Sequence, residues 1–184
     1  CFASVFSVIE NTGVAPYDPR ESDPTPENWD HARLGPHLAA TMAAADRKLK
    51  LKVTSIDPCA HDAFLRVCAA IASKARVVFS SGLKKPFFDL EPEDVATSTH
   101  LGGESNGHAQ AFCGFDLANQ ELFALNSWGR FAGLVLSKAE YPLAPSWPIP
   151  AIDRGHSWEL PGAYRMAASA LSELWEIYVI EVLK

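Results

Sequence analysis

The 184-residue chain has a formal net charge of −6, with 48% hydrophobic and 21% charged residues, an ordinary balance for a soluble globular domain. An acidic surplus with no basic block argues against a nucleic-acid partner, and no apolar run has the length of a membrane span or the pattern of a signal peptide. The length suits one domain, or two lobes sharing an interface, around a real core. In chain order, residues 2–10 (FASVFSVIE) read as a short helix stopped at Gly13. Four prolines in 15–28 mark an irregular crossing segment. Residues 29–51 are rich in Ala, Leu and Lys and suggest helix, interrupted at Gly35-Pro36. Alternation predicts a strand over 51–56. Asp57-Pro58 then offers a cap and a first-turn proline for a helix over about 59–74, with Phe64, Leu65, Val67, Cys68 and Ile71 on its apolar face.

Val77–Ser81 reads as a buried strand, and 82–106 as a long loop ending in the Gly-rich LGGESNG. Two strands, 108–115 and 121–126, are joined by a turn over Asp116–Gln120. Five prolines and two tryptophans make 141–162 an ordered or semi-ordered surface loop, and 174–182 closes the chain as a strand. The sum is an α+β protein without internal repeats, helix-rich over about 1–75 and strand-rich over about 76–184. A Pro-rich insertion occupies about 130–156.

The chemistry concentrates in GHAQAFCGFDLANQELFALNSWG, residues 107–129. In an antiparallel hairpin the start of one strand lies beside the end of the next, so His108 and Asn126 become neighbours. An asparagine amide oxygen fixes the tautomer of a histidine and leaves its other ring nitrogen as a base. Trp128, two residues on, can cover that bond and lower the local dielectric. Gly107 and the glycines before it leave room for a substrate backbone.

A base with an orienter calls for a nucleophile. Of the four cysteines, Cys113 and Cys68 sit among apolar residues and read as core. Cys59 falls in the first turn of the 59–74 helix, where the dipole favours a thiolate, with nothing aiming it at His108. Cys1 begins the helix-like run CFASVFSVIE, and a cysteine at a helix N-terminus facing a histidine gives a thiolate–imidazolium pair. Its place at the start, without a Met, fits a removed initiator, a cleaved leader or a fragment. No Cys/His spacing suits zinc. His61 and Asp62 are adjacent, poor geometry for shared ligation, so Asp57, His61, Asp62 and His100 read as solvated surface. Trp147, Trp158 and Trp175 read as packing, and no cofactor or metal is expected.

These residues resemble the papain-like cysteine proteases, particularly bacterial members. Gly107-His108-Ala109 with Gly114-Phe115-Asp116 is similar to the family's Gly-His-Ala … Gly-Tyr-Asp strand, and Asn126-Ser127-Trp128-Gly129 matches its Asn-Ser-Trp-Gly motif. Ser157-Trp158 and Pro161–Met166 resemble its Trp-Gly … Gly-Tyr segment, LWEIYVI its closing strand, and Pro16-Tyr17-Asp18 a crossing between lobes. The resemblance implies a single papain-like domain over 1–184. Its fold would be two-lobed, a helical N-terminal part and an antiparallel β-barrel-like sheet carrying the His/Asn hairpin, with a peptide or protein substrate between them. It implies His108 as base, Asn126 as orienter, Trp128 as shield and Cys1-Phe2-Ala3 as the counterpart of Cys-Trp-Ala.

The sequence departs from the family in three respects. His108 and Asn126 follow Cys1 by 107 and 125 residues, where the family spaces its pair by about 130–150. No residue precedes Cys1 to supply the oxyanion-hole glutamine. FASVFSVIENTGVAPYD also aligns with a later helix, a register in which the nucleophile belongs to a removed N-terminal segment or a second chain. The expectations are therefore a peptide-bond hydrolase working through an acyl-enzyme, a protease part completed by another segment, or a non-catalytic papain-like module that binds peptide or builds an assembly. Acyl transfer would use the same residues with another acceptor.

Overall fold

A computed structural model describes residues 50–104, 107–126, 132–142 and 151–183. The expectations for residues 1–49, Cys1 among them, and for Trp128 lie outside these. The chain divides into two compact units, and the larger, Val53–Ile180, contains His108 and Asn126.

The first strand, β1 (Lys50–Ile56), leads to helix α1 (Ala63–Ala72). The helix starts later than Asp57-Pro58 suggests. The Asp57 carboxylate accepts the Cys59 N–H (2.9 Å) and the Asp57 carbonyl accepts the Ala60 N–H, so these residues close a turn of their own. Ala63, Val67 and Cys68 face inward, whereas Leu65 is exposed rather than part of the apolar face. Next come β2 (Arg76–Ser81), a 3₁₀ turn at Lys85–Asp89 that buries Phe87, and the short β3 (Val95–Ala96). The loop read over 82–106 thus contains structure of its own.

β4 (His108–Asp116) and β5 (Glu121–Leu125) form the expected hairpin. Their register changes once. Phe112 pairs with Ala124 and Gly114 with Phe123, leaving Cys113 as the extra residue of a β-bulge. The segment expected to be a surface loop holds two strands instead of none, β7 (Ile152–Asp153) and β8 (Ser157–Leu160), and β9 (Ala163–Ala167) follows just beyond it. β6 (Leu134–Ser137) and β7 also fall within the Pro-rich insertion. Prolines mark turns, yet the residues between them alternate well enough to pair. A 3₁₀ turn (Ala168–Glu173) precedes the last strand, β10 (Leu174–Leu183).

The fold is mixed α+β. Among the described residues seven strands form one sheet in the order β1-β10-β2-β4-β5-β9-β3, and no pairing closes it into a barrel. The β10–β2, β2–β4, β4–β5 and β5–β9 pairs are antiparallel and β3–β9 is parallel. Strand alternation gives the sheet two apolar faces. One carries Val77, Phe79, Phe112, Leu122, Ala124, Tyr164 and Met166, packed with Val67 and Cys68 of α1. Phe79 and Phe112 stack there at 4.2 Å. The other carries Phe123 and Ala163 against Leu134, Leu136 and Leu160 of the small sheet β6-β8-β7. None of the described helices is long and apolar enough to cross a membrane.

Candidate functional site

The hairpin brings His108 and Asn126 together. His108 opens β4, directly across from Ser81 at the end of β2, and Asn126 follows the last residue of β5. Asn126 Oδ1 lies 2.9 Å from His108 Nε2. An amide oxygen only accepts, so Nε2 carries the hydrogen and donates it, which leaves Nδ1 as the basic nitrogen. Asn126 itself is only 3% exposed, and its backbone N–H donates to the Gly162 carbonyl at 2.8 Å. Gly162 has φ +78, a left-handed conformation that favours glycine at the turn into β9. The turn before β9 therefore anchors the Asn126 backbone just past the end of β5.

The buried face continues inward from this pair. Gln110 sits one step along the register from Ala111–Leu125 and so lies opposite Asn126. It is nearly buried, and its Oε1 accepts the Tyr164 hydroxyl at 2.7 Å. Burial pushes the Tyr164 hydroxyl well above its ordinary pKa, so it stays protonated. Sequence reasoning assigned neither residue a role. The available signal was a glutamine at an inward position of an alternating strand, between His108 and Phe112.

Gly107 is exposed and has Trp175 as its neighbour. A Cβ built on Gly107 would come within 2.6 Å of the indole ring. The Trp175 Nε1–H donates to the Gly103 carbonyl at 3.0 Å, clamping the glycine-rich loop beside β10. Trp175 thus packs, as expected, while half its surface remains open next to the His108 end of β4.

The three described thiols are not set up to serve His108. Burial pushes the Cys68 thiol up to about 11 and the Cys113 thiol up to about 12, which holds both protonated at neutral pH. Cys113 also donates to the Phe123 carbonyl at 3.2 Å. Cys59 is exposed, but it lies in the turn before α1 rather than in a helical first turn, which removes the dipole argument. It lines a groove of about 690 Å³ with Leu117 and Gln120, at the turn end of the hairpin. A nine-residue strand separates that end from His108 by about 25 Å. Cys1 and Trp128 are outside the described residues.

His100 is engaged locally, its Nδ1 accepting the Thr97 N–H at 3.1 Å. Among the described residues no three His, Cys, Asp or Glu side chains come together in a way that would hold a metal ion. No family model and no curated protein sequence matches the chain.

Proposed function

We propose that the chain is a papain-like thiol peptidase of two-lobed architecture, with His108 as general base and acid and Asn126 as its orienter. The observation that carries this reading is the His108 Nε2–Asn126 Oδ1 hydrogen bond, made on a buried amide at the open end of a hairpin. A neutral amide suits the role. It accepts from the imidazole in both protonation states and never competes for the proton, as a carboxylate would.

With Nε2–H held by Asn126, Nδ1 takes the proton of the cysteine thiol. The thiolate attacks the scissile carbonyl carbon, and the C–N bond breaks as Nδ1–H protonates the leaving amine. His108 then draws a proton from water, whose oxygen attacks the thioester and releases the acid and the regenerated thiol. Cys68 and Cys113 are too basic and too enclosed to be that thiol, and Cys59 is at the wrong end of the hairpin. The nucleophile we assign is Cys1, or in the alternative register a cysteine on another segment. Trp128 is proposed to shield the His–Asn bond, and Gly107 to leave room for the substrate backbone.

The test is turnover of a broad fluorogenic peptide library, with His108→Ala as control. Turnover lost in His108→Ala supports the peptidase, while binding without turnover in the unaltered chain favours the non-catalytic module. Iodoacetamide at neutral pH identifies the thiol: Cys1 should react ahead of Cys59, Cys68 and Cys113, and equal or slower labelling removes it.

A further inference from the structure

Continued one step beyond Ala111–Leu125, the register sets Gln110 opposite Asn126; they are 6% and 3% exposed, and each has an amide nitrogen without an acceptor among the described residues. Directly opposed residues of an antiparallel pair have Cβ atoms about 4.5–5.5 Å apart, close enough for the two amides to meet. Unmet donors at this depth are costly, and two on adjacent strands call for one explanation.

A half-turn of the Gln110 amide provides it. The rotation exchanges nitrogen and oxygen with almost no change in shape, and a tyrosine hydroxyl accepts as readily as it donates. Gln110 Nε2–H then donates to the Tyr164 hydroxyl, and Gln110 Oε1 turns to accept from Asn126 Nδ2–H. Both orphaned nitrogens gain a partner, and the Tyr164 hydroxyl changes from donor to acceptor in its bond with Gln110. Tyr164 can anchor the arrangement because it is buried and packed edge-on to Phe87, with ring centroids 5.2 Å apart.

We propose that Gln110 is a positioning residue of the His108–Asn126 pair, accepting a hydrogen bond from Asn126 Nδ2 and donating one to the Tyr164 hydroxyl. The bonds run one way, from His108 Nε2 to Asn126 Oδ1, from Asn126 Nδ2 to Gln110 Oε1 and from Gln110 Nε2 to Tyr164, so each polarises the next. Their effect is to forbid the reversed Asn126 amide. Reversed, Nδ2 would donate to His108 Nε2 and move the ring hydrogen to Nδ1, the nitrogen that must act as base. Gln110 acts on the chemistry only through Asn126, and its catalytic meaning rests on the peptidase reading above.

Nitrogen-15 NMR of the neutral His108 ring tests this in the full chain without substrate. The unaltered protein should hold the Nε2–H tautomer, and Gln110→Met, which keeps the volume and removes both bonds, should lower the ratio of Nε2–H to Nδ1–H about fivefold. Gln110→Glu should retain the ratio, because its carboxyl group still accepts from Asn126 Nδ2. A packing role would leave the tautomers of all three proteins alike, and that result overturns the proposal. Should Gln110→Met fail to fold, neutron diffraction from the unaltered protein decides. Gln110 Oε1 within ~3 Å of Asn126 Nδ2 is expected, and Nε2 in that place overturns it. Absence of peptide turnover in the unaltered chain would sink the peptidase reading and leave both of these measurements meaningful.

Discussion

The two ends of the β4–β5 hairpin hold polar groups under opposite conditions. At the turn the Asp116 carboxylate accepts the Ala118 and Asn119 N–H groups (2.9 and 3.0 Å), the Asn119 side-chain amide and the Tyr141 hydroxyl (both 3.0 Å). The Asn119 backbone bond in particular holds its carboxyl below the ordinary range. Every bond there is local or comes from one neighbouring loop, and the work done is to close a turn. At the open end, Asn126 is buried, and its side-chain oxygen accepts from the His108 ring at 2.9 Å. A saturated, solvated carboxylate is a structural device. The amide at the open end is buried instead, and it fixes the orientation of an imidazole that arrives from the neighbouring strand.

Four substitutions test that contrast. His108→Ala should lower peptide turnover by about 10²–10⁴-fold, the usual contribution of a positioned base, with little change in the melting temperature; initial rates and thermal unfolding check the two halves. Asn126→Ala should lower kcat by about 10–100-fold, the worth of one hydrogen bond to a group that becomes charged. If both variants unfold instead, the open end is structural too and the contrast fails.

Gly107→Ala should cost about 1 kcal/mol in chemical denaturation, because the new methyl group displaces the Trp175 ring from the end of the sheet. A change in tryptophan emission should accompany it. Asp116→Asn should have the smallest effect, about 0.5–1 kcal/mol at neutral pH, with turnover unchanged. The folded carboxyl sits below its ordinary value, so its contribution is present above about pH 4 and lost as the pH falls through the folded value. Melting curves of the two proteins should accordingly converge on acidification. A turnover defect in Asp116→Asn as large as that of Asn126→Ala would mean that the two ends are not separable.

Features with a short range in the chain were legible in the residues. The 116–120 turn and the alternation around it predicted the hairpin and the meeting of His108 with Asn126, because strand ends pair by adjacency alone. Cys68 was readable as core from its apolar neighbours. The start of α1 was not, since Asp57-Pro58 fits a cap and a free-standing turn equally well, and only the Cys59 and Ala60 N–H bonds decide between them. The small sheet was hidden by its prolines, and its pairing of Leu134 with Leu160 spans a stretch no local pattern can bridge. Gln110 could be recognised as odd, but its partner Tyr164 is 54 residues away and arrives through the β5–β9 register.

The bulge at Cys113 has a meaning best put as parity. From the turn, Asp116 pairs with Glu121 and Phe115 with Leu122, so odd-numbered residues face even-numbered ones. Carried on unbroken, that phase would set Asn126 opposite Ala111 and turn it to the face away from His108. One surplus residue resets the count, and beyond it even faces even. The hairpin can therefore exchange many of its side chains and keep the pair, but it cannot lose or gain a single residue between Phe112 and Ala124 without separating them.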